Sequence, residues 1–196
     1  MLNFSLAFFF LIITPGPGVL SVAGIGSAYG YKIGIRYILG LCLGTNLVAL
    51  VVVSGLAATL LATTYLRPTL MVFSTLYLLF LAYKIASAGA EISFSKNDIK
   101  PGIIAGILLQ LINPKAYVVN TAMFTGFLIY PNQFALEVIL KFLIMNVIWF
   151  PIHILWLYLG VSLRKLKLSE RTQRKINVFM AISLVFVVVL AIFSSF

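Results

Sequence analysis

Long apolar stretches fill almost the whole chain, and the one sizeable polar interruption is the connector SAGAEISFSKNDIKP, Ser87 to Pro101. Stretches able to cross a bilayer, at about 20 residues each, fall near 3–28, 34–63, 68–88, 101–127, 134–161 and 175–196. This pattern predicts an all-α integral membrane protein of six transmembrane helices. They form a single transmembrane domain over 1–196, in two halves of three spans, about 1–88 and 101–196.

The first and fourth spans carry residues that a helix interior resists. The run LIITPGPGVL, Leu11 to Leu20, places Pro15 and Pro17 among apolar residues, where each proline costs about 3 kcal/mol relative to alanine. They leave the carbonyls of Leu11 and Ile13 without their usual partners, and Pro114 does the same to Gln110. Within hydrocarbon such gaps persist only inside protein or beside a wet cavity. Gly16 and Gly18 let the chain open there and let a ligand approach the backbone. The half-helix that restarts after each break turns free N–H groups and a positive dipole end toward the gap, which suits a carboxylate.

The two breaks correspond. Ile13-Thr14-Pro15 has its counterpart in Ile112-Asn113-Pro114, and Asn46 of the second span has its counterpart in Asn146 of the fifth. Three spans per half place the second half upside down relative to the first. Inverted repeats with broken helices at matching positions characterise secondary transporters, whose substrate site lies at the midplane.

Composition sharpens this picture. Hydrophobic residues make up 62% of the chain and charged ones 9%, against about 25% charged in a soluble domain, and the mean hydropathy is +1.13. The net charge of +10 sits in short connectors, which argues for bilayer topology and against a nucleic-acid groove. Lys32 and Arg36, then Lys84, Lys96 and Lys100, then Arg164, Lys165, Lys167, Arg171, Arg174 and Lys175 fall on one side, with Arg67 and Lys141 opposite. The positive-inside bias puts the first side in the cytoplasm and both termini outside. The first cation is Lys32, so the opening apolar stretch lacks a basic leader segment and is expected to stay as a span. Cys42 is a lone apolar-segment cysteine, with no disulfide framework or thiolate metal site to join.

Lys115 is the remaining cation, in the middle of the fourth span. A charge at that depth marks a cavity and a function, and no acidic residue of the sequence lies at the same level. The missing anion is expected to be a substrate carboxylate. Asn46 and Asn146 are read as substrate or gate ligands, with a simple helix tie as the alternative. His153, near Trp149 and Trp156, is read as a packed residue outside the site. Glycines at four-residue spacing (Gly26, Gly30, Gly34; Gly40, Gly44; Gly102, Gly106) suit close helix contact.

The P-G-P element, the following Gly30, Lys32, Gly34 and Arg36, and the N-P-K-A element at Asn113 to Ala116 resemble the LysE/RhtB family of amino-acid exporters over the whole chain. The resemblance implies a bacterial inner-membrane exporter of amino acids drawing on the proton motive force. It also implies that Pro15, Gly16 and Pro17 form one motif and Asn113, Pro114 and Lys115 the other. This chain has Gly18 where the family usually has asparagine. The full candidate substrate-binding set is Thr14, Pro15, Gly16, Pro17, Gly18, Asn46, Asn113, Pro114, Lys115 and Asn146, with no catalytic residue, metal or cofactor. The partners expected are an amino-acid substrate and the lipid bilayer, with protons as the candidate coupling ion and a homo-oligomer left open.

Three other readings compete. A metal-cation exporter would need carboxylate, Cys or His ligands at midplane, where the sequence offers a lysine. An intramembrane enzyme would need paired acids or a nucleophile with a base. A non-transporting assembly subunit would not need matched breaks.

Overall fold

The computed structural model describes residues 1–14, 16–55, 66–87, 100–127, 129–130, 132–166 and 169–193. Among them there are helices and turns and no strand. The helices are α1 (Leu2–Ile13), α2 (Pro17–Tyr29), α3 (Tyr31–Val53), α4 (Leu66–Ala86), α5 (Ile103–Ile112), α6 (Pro114–Gly126), α7 (Phe134–Lys165) and α8 (Glu170–Phe193).

The first and fourth apolar stretches are both broken where their prolines fall. α1 and α2 bend by 51° across their break, and α5 and α6 by 68°. In each case proline takes the first turn of the second half-helix, where its missing N–H costs no intrahelical bond. α3 and the segment Phe134–Leu163 of α7 are each long and apolar enough to cross a membrane, and each bent pair reaches that standard when its halves are taken together. α3 begins three residues before the expected span because Gly30, at φ 79°, ends α2 in a conformation that other residues resist. Most of the polar connector, and the end expected for the second span, lie outside the described residues.

The helices share one core built around Phe4, Phe8, Tyr37, Leu41, Leu81 and Leu157. Outward faces are apolar too: Phe10, Ile104, Phe134, Val147 and Phe179 are each 60% or more exposed. That inversion of the soluble pattern suits hydrocarbon.

Two contacts dominate the packing, α2 on α7 and α3 on α5. Both bring backbone against backbone. A β-carbon at Gly160 of α7 would lie 2.1 Å from the Ala23 carbonyl oxygen of α2, and one at Gly106 of α5 would lie 2.4 Å from that of Tyr37 on α3. Gly40 and Gly44 meet α5 in the same way, so the spaced glycines do allow close helix contact. Gly102 does not join them, having only the Lys100 oxygen at 4.0 Å.

Lys141, counted by sequence on the outer side, is fully buried within α7. Its Nζ lies 2.7 Å from Glu137 Oε1 and donates to the Phe124 oxygen at 3.1 Å and to the Phe127 oxygen. These carbonyls end α6, so the ammonium sits at that half-helix's negative pole. The rings of Phe4 and Phe124 flank it.

Candidate functional site

The two breaks meet. Thr14 closes α1 in an extended conformation, and Gly16 opens α2 with no side chain capping it. Gly18 and Val19, in the first turn of α2, line a cavity of about 50 Å³, several times the space one ordered water needs. Pro17 is buried as the first residue of α2; Pro15 lies outside the described residues.

The second break is built differently. Asn113 serves as the end of α5 and the cap of α6 at once. Its Oδ1 accepts from the Lys115 amide at 3.1 Å, and its Nδ2 donates to Gln110 Oε1 at 3.0 Å. Gln110 Nε2 in turn donates to Thr45 Oγ1 of α3. With its amide drawn to Asn113, Lys115 no longer bonds the Leu111 carbonyl, which accepts instead from the Tyr117 hydroxyl at 2.9 Å. The free amides expected at both restarting half-helices are therefore left uncapped by side chains at α2 alone. At α6, whose first residue is Pro114, Asn113 uses the first of them.

Lys115 connects the breaks. Its Nζ donates to the Thr14 carbonyl oxygen at 3.4 Å, across 101 positions of chain. The side chain lies flat on Gly16, where a β-carbon would be 2.8 Å from Nζ and 3.3 Å from Cδ. Gly16 is thus small because a lysine covers it. The ammonium is half-buried and meets the negative end of α1. Among the described residues, no Asp or Glu lines the cavity.

Around that cation the cavity gathers Thr14, Gly16, Gly18, Asn113 and Lys115 from the candidate set, and adds Thr45, Gln110, Asn120 and His153. Phe8, Ile12, Val19, Val119 and Trp149 make the apolar wall. His153 was read from sequence as packing only, and the stacking on Trp149 is real, with ring centroids 3.5 Å apart. Yet its Nε2 faces the cavity beside Gly18, where a β-carbon would stand 3.5 Å away.

Asn46 and Asn146 are not on this cavity; they line a smaller adjoining space that shares Phe8, Thr45, Asn120 and Trp149 with it. Their amides bond each other in both directions, at 2.9 and 2.8 Å. Each also donates to the carbonyl four residues back, Cys42 or Phe142. Two asparagines 100 positions apart therefore meet face to face with the same bonding.

These features define a helical membrane protein with a polar, cationic pocket at the crossing of two broken helices. The chain belongs to the LysE type translocator family, whose family model matches residues 9–195. No curated protein and no solved structure matches it. It is therefore a translocator of the membrane that moves small solutes, and its family is one of transporters, not enzymes.

Proposed function

We propose that the chain is a secondary exporter of amino acids, or of a closely related small zwitterion, across the bacterial cytoplasmic membrane. It works by alternating access of one inverted three-helix repeat against the other, with both termini outside. The observation that carries the reading is Lys115. An ammonium reaching from one broken helix to the carbonyl end of the other, beside the uncapped start of α2, presents positive potential to a cavity lined by no acid among the described residues. A carboxylate supplies the missing charge, whereas a metal cation would be repelled.

The repeat is supported by the two proline-started half-helices and by the reciprocal Asn46–Asn146 pair. In the proposed orientation the close-packed contacts, α2 on α7 and α3 on α5, lie on the cytoplasmic side. Their repeat mates, α1 with α7 and α6 with α3, touch far less. Alternating access exchanges these two sets of contacts. The test is counterflow in proteoliposomes against a panel of labelled amino acids. Uptake of at least one amino acid above protein-free vesicles is expected, and uptake of none overturns the reading.

A further inference from the structure

The carboxylate accounts for half of a zwitterion, and the cavity holds two groups that answer the other half. Asn120, on α6, donates its Nδ2 to the Ala116 oxygen at 2.7 Å. That bond fixes the amide's orientation, since a carbonyl can only accept. It leaves Oδ1 buried and without a partner, the one such side-chain atom among the described residues. His153 is 3% exposed, and its Nδ1 meets the Trp149 oxygen at 2.9 Å. The same logic places the proton of the neutral ring on Nδ1, so the Nε2 that faces the cavity is a lone-pair acceptor.

Buried acceptors are rarely left unmatched. Asn120 and His153 both line the same cavity as Lys115; Asn120 Oδ1 requires a donor, and His153 Nε2 can accept one. A water could serve one of them, but a protonated amine carries three donors and a charge that makes each bond stronger. Its charge is offset within the same molecule by the carboxylate on Lys115, so no acidic side chain is needed. Resting on the amino-acid reading above, we propose that Asn120 Oδ1 and His153 Nε2 receive the substrate's ammonium group. The apolar wall of Phe8, Ile12, Val119 and Trp149 then receives a small neutral side chain. The substrate class is the small neutral amino acids; a second cation, as on lysine, would find no counter-charge there.

Competition against labelled counterflow tests this on the wild type, with L-alanine and L-leucine as probes. Each unlabelled amino acid is compared with its 2-hydroxy analogue, L-lactate or L-2-hydroxyisocaproate, which keeps the carboxylate and lacks the ammonium. The hydroxy acids should compete about tenfold or more weakly, the scale of losing bonds to a charged group. Asn120→Leu and His153→Phe keep bulk and ring stacking but remove the acceptors, and should bring each pair toward parity. Equal competition in the wild type overturns the ammonium subsite, whether or not the variants insert. So does an unchanged ratio in variants that do insert. If L-alanine and L-leucine are not carried while larger or cationic amino acids are, the small neutral class fails and the exporter reading stands. If no amino acid is carried, the reading beneath it falls and takes the subsite with it.

Discussion

An ammonium inside a bilayer needs partners, and Lys115 finds one in the Thr14 carbonyl while lying on Gly16. Gly16→Ala places a methyl group 2.8 Å from Nζ, and the flexible lysine end must move off Thr14. Export should fall by roughly ten- to a hundredfold, as expected when a site group shifts by about 1 Å, while the amount of inserted protein stays unchanged. Initial rates normalised to inserted protein check this, and a wild-type rate would show that the lysine's position is immaterial. Of the candidate residues, Thr14, Gly16, Gly18, Asn113 and Lys115 line the cavity. Prolines, a mid-span lysine and mid-span asparagines are costly in hydrocarbon, so each marks itself. His153, Asn120 and Gln110 were not legible. Whether Asn120 turns inward depends on the rotation of α6 beyond a 68° bend, and no periodicity in the sequence records that angle. His153 also stacks on Trp149, so its packing role hid the second nitrogen.

At the scale of elements, the breaks and the glycine contacts explain why these helices hold together without soluble-type burial. Apolar side chains gain little by leaving lipid for one another, so close backbone approach and interhelical hydrogen bonds carry the association. The Asn46–Asn146 pair joins α3 to α7 with two bonds. A double-mutant cycle with Asn46→Leu and Asn146→Leu should give a coupling of about 0.6–1.7 kcal/mol in unfolding from detergent, the range for such bonds in membranes. A coupling near zero would mean that the two amides act independently, and the helix tie would be refuted. Helix positions were readable from the apolar stretches, and the ends less so. Gly30 at positive φ moved one boundary. The burial of Lys141 was not readable from its charge, because its partners, the end of α6 and Glu137, come together only in the fold.

The whole molecule is organised around one crossing, where two proline-broken helices from opposite halves of the chain present a lysine, an uncapped helix start and the unpaired Asn120 oxygen to a single cavity. Membership of the LysE type translocator family makes the chain a membrane translocator, and in the proposed function this cavity is the place where the solute binds. The central claim is that Lys115 holds the substrate's carboxylate. Proteoliposome counterflow of the best-carried amino acid, in wild type and in Lys115→Met, tests it most directly, with the decarboxylated amine as competitor. The wild type should reject the amine. Lys115→Met, which keeps the length and removes the charge, should lose amino-acid counterflow by about tenfold or more and distinguish the two compounds poorly. Counterflow by Lys115→Met at the wild-type rate, or equal competition by amine and amino acid in the wild type, would contradict the account.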